Sequence, residues 1–462
     1  MNIALVNPAK IEEIQKFRWG SGGHLGLAYL AGVLEAAGYR CSVIDAKFHG
    51  LNPEDVFREI RKLDCEIIGI TAMTHEVHTA HLIAQKIKEY SGTIVTVVGG
   101  PHATALPERT LLEFPGFDIA VFGEGENTIL EIVKHYNAGE AHELLRNVNG
   151  CAFRLNGSIV KNSPRPFMNA SELDKLPFPA WHLFPNQPFP QLAGRGCPYR
   201  CAFCMRVLGN AIRMRSPQNV IDEMEYLYRE FGRKESWFRD ETFGIDKKWT
   251  DDFLLLLEKF REMNDVDWSW KANSRVNIAD YETYSRMHRL GCRELDFGIE
   301  SGNVEVLRQI QKDITLEKAQ RAISMAKKAG IRARAFFIIG HPHETLRTAF
   351  DTIRFAARLG SDEIAVGVMV PYPGTKIWMM AQRHEGGYTL LSEDWRLYDK
   401  YFGDAIELEH LSKNQLKALQ SICYVWFYIR NLRIIDLCKF IKLHFAEAKR
   451  MLKILAKTNS VL

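Results

Sequence analysis

Three thiols crowd the stretch "GRGCPYRCAFC" (194–204), where Cys197, Cys201 and Cys204 are separated by three and then two residues. Thiolates are soft ligands that suit zinc and iron–sulfur centres. A structural zinc site closes with four ligands, commonly within one small knuckle. After Cys204 the next histidine is His288 and the next cysteine is Cys292, so no fourth ligand lies nearby. A cubane cluster held by three thiolates leaves one iron open to an exogenous ligand. Such an iron can bind and reduce a small molecule, which is a catalytic use of the site.

The rest of the chain must build a frame for this loop. At 462 residues it is long enough for two or three domains, and 46% hydrophobic with 25% charged residues is the balance of a globular protein. A net charge of +4 gives no argument for nucleic acid. That charge is uneven, because residues 411–462 hold ten Lys/Arg against two Asp/Glu. The apolar run opening "MNIALVNPAK" is too short for a signal peptide, and no apolar stretch reaches the length of about 18 residues expected of a membrane span. Nine cysteines, scattered apart from the trio, suit reduced thiols in the cytoplasm better than a disulfide framework.

Short β-rich runs at "NIALVN", "RCSVID", "EIIGIT", "TIVTVVGG" and "DIAVFG" alternate with helical patterns over residues 1–135 and predict a doubly wound, Rossmann-like parallel sheet. "GITAMT" (69–74), "GGPHAT" (99–104) and "GEGEN" (123–127) each follow one of these strands, and three glycine turns along one sheet edge suggest a shelf for a large flat ligand. Residues 136–188 read as a linker carrying a small Asn-Gly hairpin and the proline- and aromatic-rich "LDKLPFPAWHLFPNQPFP". A second series of strand–helix units over 189–385 predicts a partial (β/α)6 barrel, with the cysteines just past its first strand, and 386–462 is expected to be helical.

The Cys-x3-Cys-x2-Cys spacing, with Phe203 before the last cysteine, resembles the radical SAM family. "RDETF" (239–243), "DFGIESG" (296–302), "FIIGHPHET" (337–345) and "VPYPGT" (370–375) resemble that family's strand-end motifs in the expected order. The resemblance implies a [4Fe-4S] cluster on Cys197, Cys201 and Cys204 that cleaves S-adenosylmethionine to a 5′-deoxyadenosyl radical. It also implies that Glu300 bonds the cofactor ribose, and that Ala202 and Phe203 (through their backbone), Ser301 and Gly340 line the cofactor. Asp240 and Arg275, at strand ends, are candidates for contact with cofactor or substrate; a charge pair closing the barrel interior is the alternative. Tyr372 is a candidate on the substrate side.

"GLAYLAGVLEAAGYRCSVID" and the three glycine stretches resemble the cobalamin-binding domain that precedes the barrel in one radical SAM subclass. This implies a cobalamin shelf formed by Thr71, Met73, Thr74, His75, Gly99, Gly100, Pro101, His102, Gly123, Glu124, Gly125 and Glu126, with weaker contacts from Gly22 and Gly23. No Asp-x-His-x-x-Gly motif for a lower cobalt ligand is found; "DAKFHG" (45–50) has different spacing. His75, His78 and His81 recur every three residues on a predicted helix, where decoration of a half-exposed face competes with metal binding.

The implied activity is methylation of an unactivated carbon in a small-molecule or natural-product substrate, fed by an external electron donor such as a flavodoxin or ferredoxin. The alternatives are a cyclase or rearrangement enzyme using the same cofactors, and a non-catalytic iron–sulfur redox or sensor protein. A tRNA methylthiotransferase would need three more cluster cysteines in the N-terminal domain, where only Cys41 and Cys65 precede residue 150. The basic, amphipathic tail has two readings. It is expected as a helical cap on the barrel with its lysines in water, against peripheral contact with an anionic membrane or acidic partner.

Overall fold

The computed structural model describes residues 1–9, 22–140, 142–278, 280–399 and 404–443. The chain forms two compact units: Met1–Cys197 with Arg206–Glu223, and Pro198–Met205 with the chain from Met224 onward.

In the first unit the apolar runs become parallel strands β1 (Asn2–Asn7), β2 (Arg40–Asp45), β3 (Ile67–Thr71), β4 (Val95–Gly99) and β5 (Ile119–Val121). Their spatial order is β2-β1-β3-β4-β5, and every residue of β3 and β5 is buried, as helix-covered parallel strands require. Helices α1 (Leu25–Ala36), α2 (Val77–Tyr90) and α3 (Glu126–Asn137) follow β1, β3 and β5. The His24 ring caps α1 by accepting from the Leu27 N–H at 3.1 Å.

The expected hairpin is present as β6 (Cys151–Leu155) and β7 (Ser158–Lys161), turning through Asn156 and Gly157, both with positive φ. It does not stand in a linker. β6 pairs antiparallel with β5, Ile119 facing Phe153, and the hairpin extends the sheet to seven strands. The reason is the open edge of β5, which the hairpin covers. The aromatic connector also belongs to this unit. Trp181 is buried and stacks on Phe189 at 4.7 Å, and the Ala180 N–H donates to the Ala28 carbonyl of α1. A Cβ on Gly22 would lie 2.7 Å from the Pro188 carbonyl oxygen and one on Gly23 would lie 2.5 Å from Trp181, so both glycines serve this packing.

The strand expected in "FPQLAGRG" (189–196) is split into two-residue pieces, Pro190–Gln191 and Gly194–Arg195, which fall in the first unit. Within the second unit, β8 (Glu235–Phe238), β9 (Ser269–Ser274), β10 (Cys292–Glu300), β11 (Arg332–Ile339) and β12 (Glu363–Val368) are successive parallel neighbours. Burial alternates along β9, β11 and β12. One face packs Ala333, Ala335, Phe337 and Ile339 into the core, while the other carries Lys271 over the Trp237 ring and Arg334 paired with Asp296.

The segment from 386 is not wholly helical. β13 (Tyr388–Leu390) and β14 (Ile406–Leu408) form an antiparallel pair before α4 (Lys413–Arg430) and α5 (Ile434–Leu443). Helix α4 runs along β12: the Val366 N–H donates to the Tyr424 hydroxyl and the Val366 carbonyl accepts from Gln420 Nε2, both at 2.8 Å. Among the described residues no helix is long and apolar enough to cross a membrane.

Candidate active site

The cysteine loop opens from a clamped base in the first unit. Gly194–Arg195 pairs with Arg213–Met214, and Gly196 then turns with φ +88, where a Cβ would sit 2.2 Å from the Ala211 carbonyl oxygen. Only glycine fits there. The buried Arg195 guanidinium meets Glu124 at 3.1 Å and Glu126 at 2.6 Å and lies over the Tyr29 ring. Arg213 adds a contact to Glu124 at 2.9 Å. Glu124 and Glu126, expected on the cobalamin shelf, thus have their carboxylates committed to the loop's base. No local pattern announces this pairing, since the partners are about 70 residues apart in sequence.

Cys201 and Cys204 lie in the second unit, and Cys197, the first ligand candidate, ends the opening segment of the first. Cys197 and Cys201 are buried and Cys204 is half-buried. The Ala202 N–H donates to the Ile310 carbonyl at 2.9 Å, and its own carbonyl accepts from Ile377 N–H at 3.1 Å. The backbone at 202 is therefore a brace for the loop.

A chain of contacts leads away from Cys201. Arg275 Nη1 lies 3.7 Å from the Cys201 sulfur, its Nη2 donates to the Lys312 carbonyl, and its guanidinium lies 3.5 Å over the Tyr199 ring. Lys312 in turn places its ammonium 2.8 Å from Glu300 Oε1, with both side chains nearly inaccessible to solvent. Glu300 ends β10 with φ +74, beyond a register shift after Gly298. A Cβ on Gly298 would meet the Glu300 carboxylate at 2.4 Å and the Lys312 ammonium at 2.9 Å. The Glu300 carbonyl lies 3.3 Å from His341 Nε2, and His341 adjoins the Phe203 ring.

At the end of β11, Glu344 Oε2 accepts from the Gly340 N–H at 2.5 Å and the His341 N–H at 3.1 Å. Tyr388 donates to the Gly340 carbonyl at 2.9 Å. Burial pushes the Glu344 carboxyl up to about 7 despite those two donors. Burial, reinforced by Lys312, lowers His341 to about 4, so its ring is neutral. Arg275 Nε, Glu344 Oε1 and His341 Nδ1 are buried polar atoms without a hydrogen-bond partner. Such atoms are rare unless a ligand or water completes them. Sequence reading named Gly340 here but missed Lys312, His341, Glu344 and Tyr388; the signal for His341 and Glu344 was present in "FIIGHPHET". Ser301 is fully buried with its hydroxyl 3.0 Å from Thr352 Oγ1, and Asp240 is buried at the end of the β8 segment.

The glycine-bearing sheet edge of the first unit is open at two of its turns. A Cβ on Gly99 or Gly123 would meet nothing within 4 Å, and Met73, past β3, exposes its thioether side chain. Gly100, φ +92, turns so closely that a Cβ would meet Thr71 Oγ1 at 2.8 Å, and the Gly123 N–H donates to Thr104 Oγ1. Pro101 starts a short helix, Thr74 is buried, and Gly125 packs near Leu30. His75 lies beside Glu76, which Lys47 holds at 2.6 Å. His102 is buried near Phe114, and burial lowers it to about 3. His78 and His81 also pack on Phe114, which gives those two an aromatic packing role that His75 does not share. Among the described residues no three His, Cys, Asp or Glu side chains gather around a point suited to one metal ion.

Comparison with known proteins follows the same division. The B12 binding domain model matches residues 20–133, and the Radical SAM superfamily model matches residues 192–356. The uncharacterized methyltransferase PH0819 of Pyrococcus horikoshii is 34% identical over 440 residues, covering 93% of each chain. The anaerobic magnesium-protoporphyrin IX monomethyl ester cyclase of Rubrivivax gelatinosus is 30% identical over 75% of this chain and 64% of its own. Among solved structures, the radical S-adenosylmethionine methyltransferase TsrM from Kitasatospora setae, with cobalamin and a [4Fe-4S] cluster bound, superposes with a TM-score of 0.73. The two share 16% identity, and the match covers 92% of this chain and 88% of TsrM, which establishes the shared fold.

Proposed function

We propose, for a chain that belongs to the radical SAM enzymes carrying a B12-binding domain, that it methylates an unactivated carbon of a small-molecule substrate. The observation that carries the reading is the contact chain Cys201–Arg275–Lys312–Glu300–His341. It joins four stretches that are far apart in sequence, at 201, 275, 300–312 and 341. When bound, a [4Fe-4S] cluster supplies the electron that cleaves S-adenosylmethionine, and cobalamin supplies the methyl group.

The residues present fit both groups. Three thiols in one braced loop provide the cluster ligands, and Arg275 sets a fixed positive charge against one of them. Hydrogen bonds and charge at cluster sulfurs tune reduction potential, so Arg275 is a tuning residue as well as a link to Lys312. Glu300 offers carboxylate oxygens to hydroxyl donors such as a ribose, and Lys312 supplies its counter-charge. Gly340 and His341 are held by Glu344, which fixes the end of β11 beside Glu300. In the first unit, Gly99 and Gly123 leave room for a corrin, and exposed Met73 offers it an apolar contact. Reducing surroundings suit nine free thiols, so we place the enzyme in the cytoplasm with a flavodoxin or ferredoxin as electron donor.

The test is oxygen-free purification with added hydroxocobalamin, followed by turnover with a candidate substrate. We expect bound-corrin absorbance, stoichiometric cluster iron, and S-adenosylhomocysteine forming alongside 5′-deoxyadenosine and a methylated product. In Cys201→Ala we expect loss of cluster iron and at least roughly a hundredfold loss of S-adenosylmethionine cleavage. The similarity to the Rubrivivax cyclase supports a second reading, ring formation without methyl transfer. Cleavage of S-adenosylmethionine with no S-adenosylhomocysteine or methylated product would select it.

A further inference from the structure

Helix α5 exposes an apolar arc that an ordinary surface helix would turn inward. Its inner side is anchored by Phe440, which stacks on Tyr424 at 4.7 Å and lies 6.0 Å from Tyr428 of α4. At 100° per residue, Ile434, Ile435, Cys438 and Ile441 fall on the opposite arc, and all four are exposed. Ile435 is 74% exposed, and Leu432, in the turn before the helix, is 85% exposed. A contiguous exposed apolar surface of this kind marks a contact site.

Charge decides what the contact is. Exposed Lys439 borders the isoleucine arc and exposed Lys442 falls within it, Arg430 and Arg433 precede it, and Asp436 is the one acid between residues 426 and 443. That acid is already shared by Arg433 and Lys439. A second copy would bring the same positive charge against itself. The sequence from 444 to 462, with four Lys/Arg and one Glu, has the same sign and would be repelled likewise. An anionic surface is attracted, and a strip of isoleucine and leucine carrying lysines is the chemistry that inserts at a lipid headgroup boundary.

We infer that the α4–α5 corner, through Ile434, Ile435 and Ile441 with Lys439 and Lys442, docks the enzyme on an anionic phospholipid surface. This does not depend on the reaction proposed above. It places the enzyme where amphiphilic or membrane-held substrates are concentrated.

Flotation of the full-length protein with vesicles tests it. We expect recovery with phosphatidylcholine vesicles containing phosphatidylglycerol, at least roughly tenfold weaker recovery with phosphatidylcholine alone, and loss of binding as salt is raised. Each basic residue near an anionic surface contributes roughly fivefold, so the K439E/K442E variant should bind at least roughly twentyfold more weakly. I434S/I435S should lose at least roughly tenfold through the apolar contact. Circular dichroism and anaerobic S-adenosylmethionine cleavage should be unchanged in both, since these side chains are exposed. Should either variant misfold, vesicle protection of Lys439 and Lys442 from acetylation in the parent protein replaces it. Equal recovery on the two vesicle types, no recovery on either, or full binding by both variants overturns the proposal. A dimer in sedimentation that I434S/I435S dissociates, or an acidic protein partner held without lipid, overturns it as well.

Discussion

Glu300 combines a left-handed backbone with a buried carboxylate, and Lys312 is the cation that accompanies it. Removing one member of a buried pair strands the other charge, so Lys312→Met should destabilise the protein by about 3–5 kcal/mol in chemical denaturation. Adding Glu300→Gln should restore most of that stability, because a neutral amide needs no counter-ion, while S-adenosylmethionine binding stays weak. Glu344 and His341 make a second pair of residue-scale predictions, with opposite signs. Burial raises Glu344 from 4.5 to about 7, so the folded chain holds a proton that the unfolded chain releases, and stability falls as pH rises across that window. Burial lowers His341 from 6.5 to about 4, so stability falls as pH drops through that range. The two slopes oppose each other where the windows overlap. Glu344→Gln should unmask the histidine, giving thermal stability that climbs with pH between about 4 and 6.5, where the parent is nearly flat.

At the scale of elements, the edge of β12 is finished by side chains: Tyr424 and Gln420 of α4 take the Val366 N–H and C=O that a further strand would have used. Tyr424→Phe should cost about 1 kcal/mol in thermal unfolding by leaving that buried N–H unmet, and Gln420→Leu a similar amount for the carbonyl. Legibility at this scale follows the range of the signal. The apolar run of β3 and the glycine stop of α1 were readable because period and punctuation are local. The Asn156-Gly157 turn was readable for the same reason. Its attachment to β5 was not, because nothing near Phe153 names Ile119 as its partner. The Tyr388–Leu390 strand was likewise hidden in a segment whose composition reads as helix.

For the molecule as a whole, two cofactor frameworks lie on separate stretches of chain, so their losses should be separable. Replacing Cys197, Cys201 and Cys204 together by alanine should abolish cluster iron yet retain corrin absorbance. Joint loss of both would contradict independent shelves. The ordered motifs from 194 to 375 were legible because each reacting part of this chemistry needs a particular residue at a strand end. What holds those parts together was not: Arg195 reaching Glu124 and Glu126, and Arg275 and Lys312 bridging Cys201 to Glu300, are long-range pairings that spacing cannot encode. The capped edge of β12 also has a practical consequence. A fragment cut after residue 385 would keep Cys197, Cys201, Cys204 and every strand-end motif but bare the Val366 backbone, turning the final strand into a template on which neighbouring molecules polymerise. Dissecting the catalytic half should therefore yield aggregates unless the severed C-terminal helix is supplied alongside it.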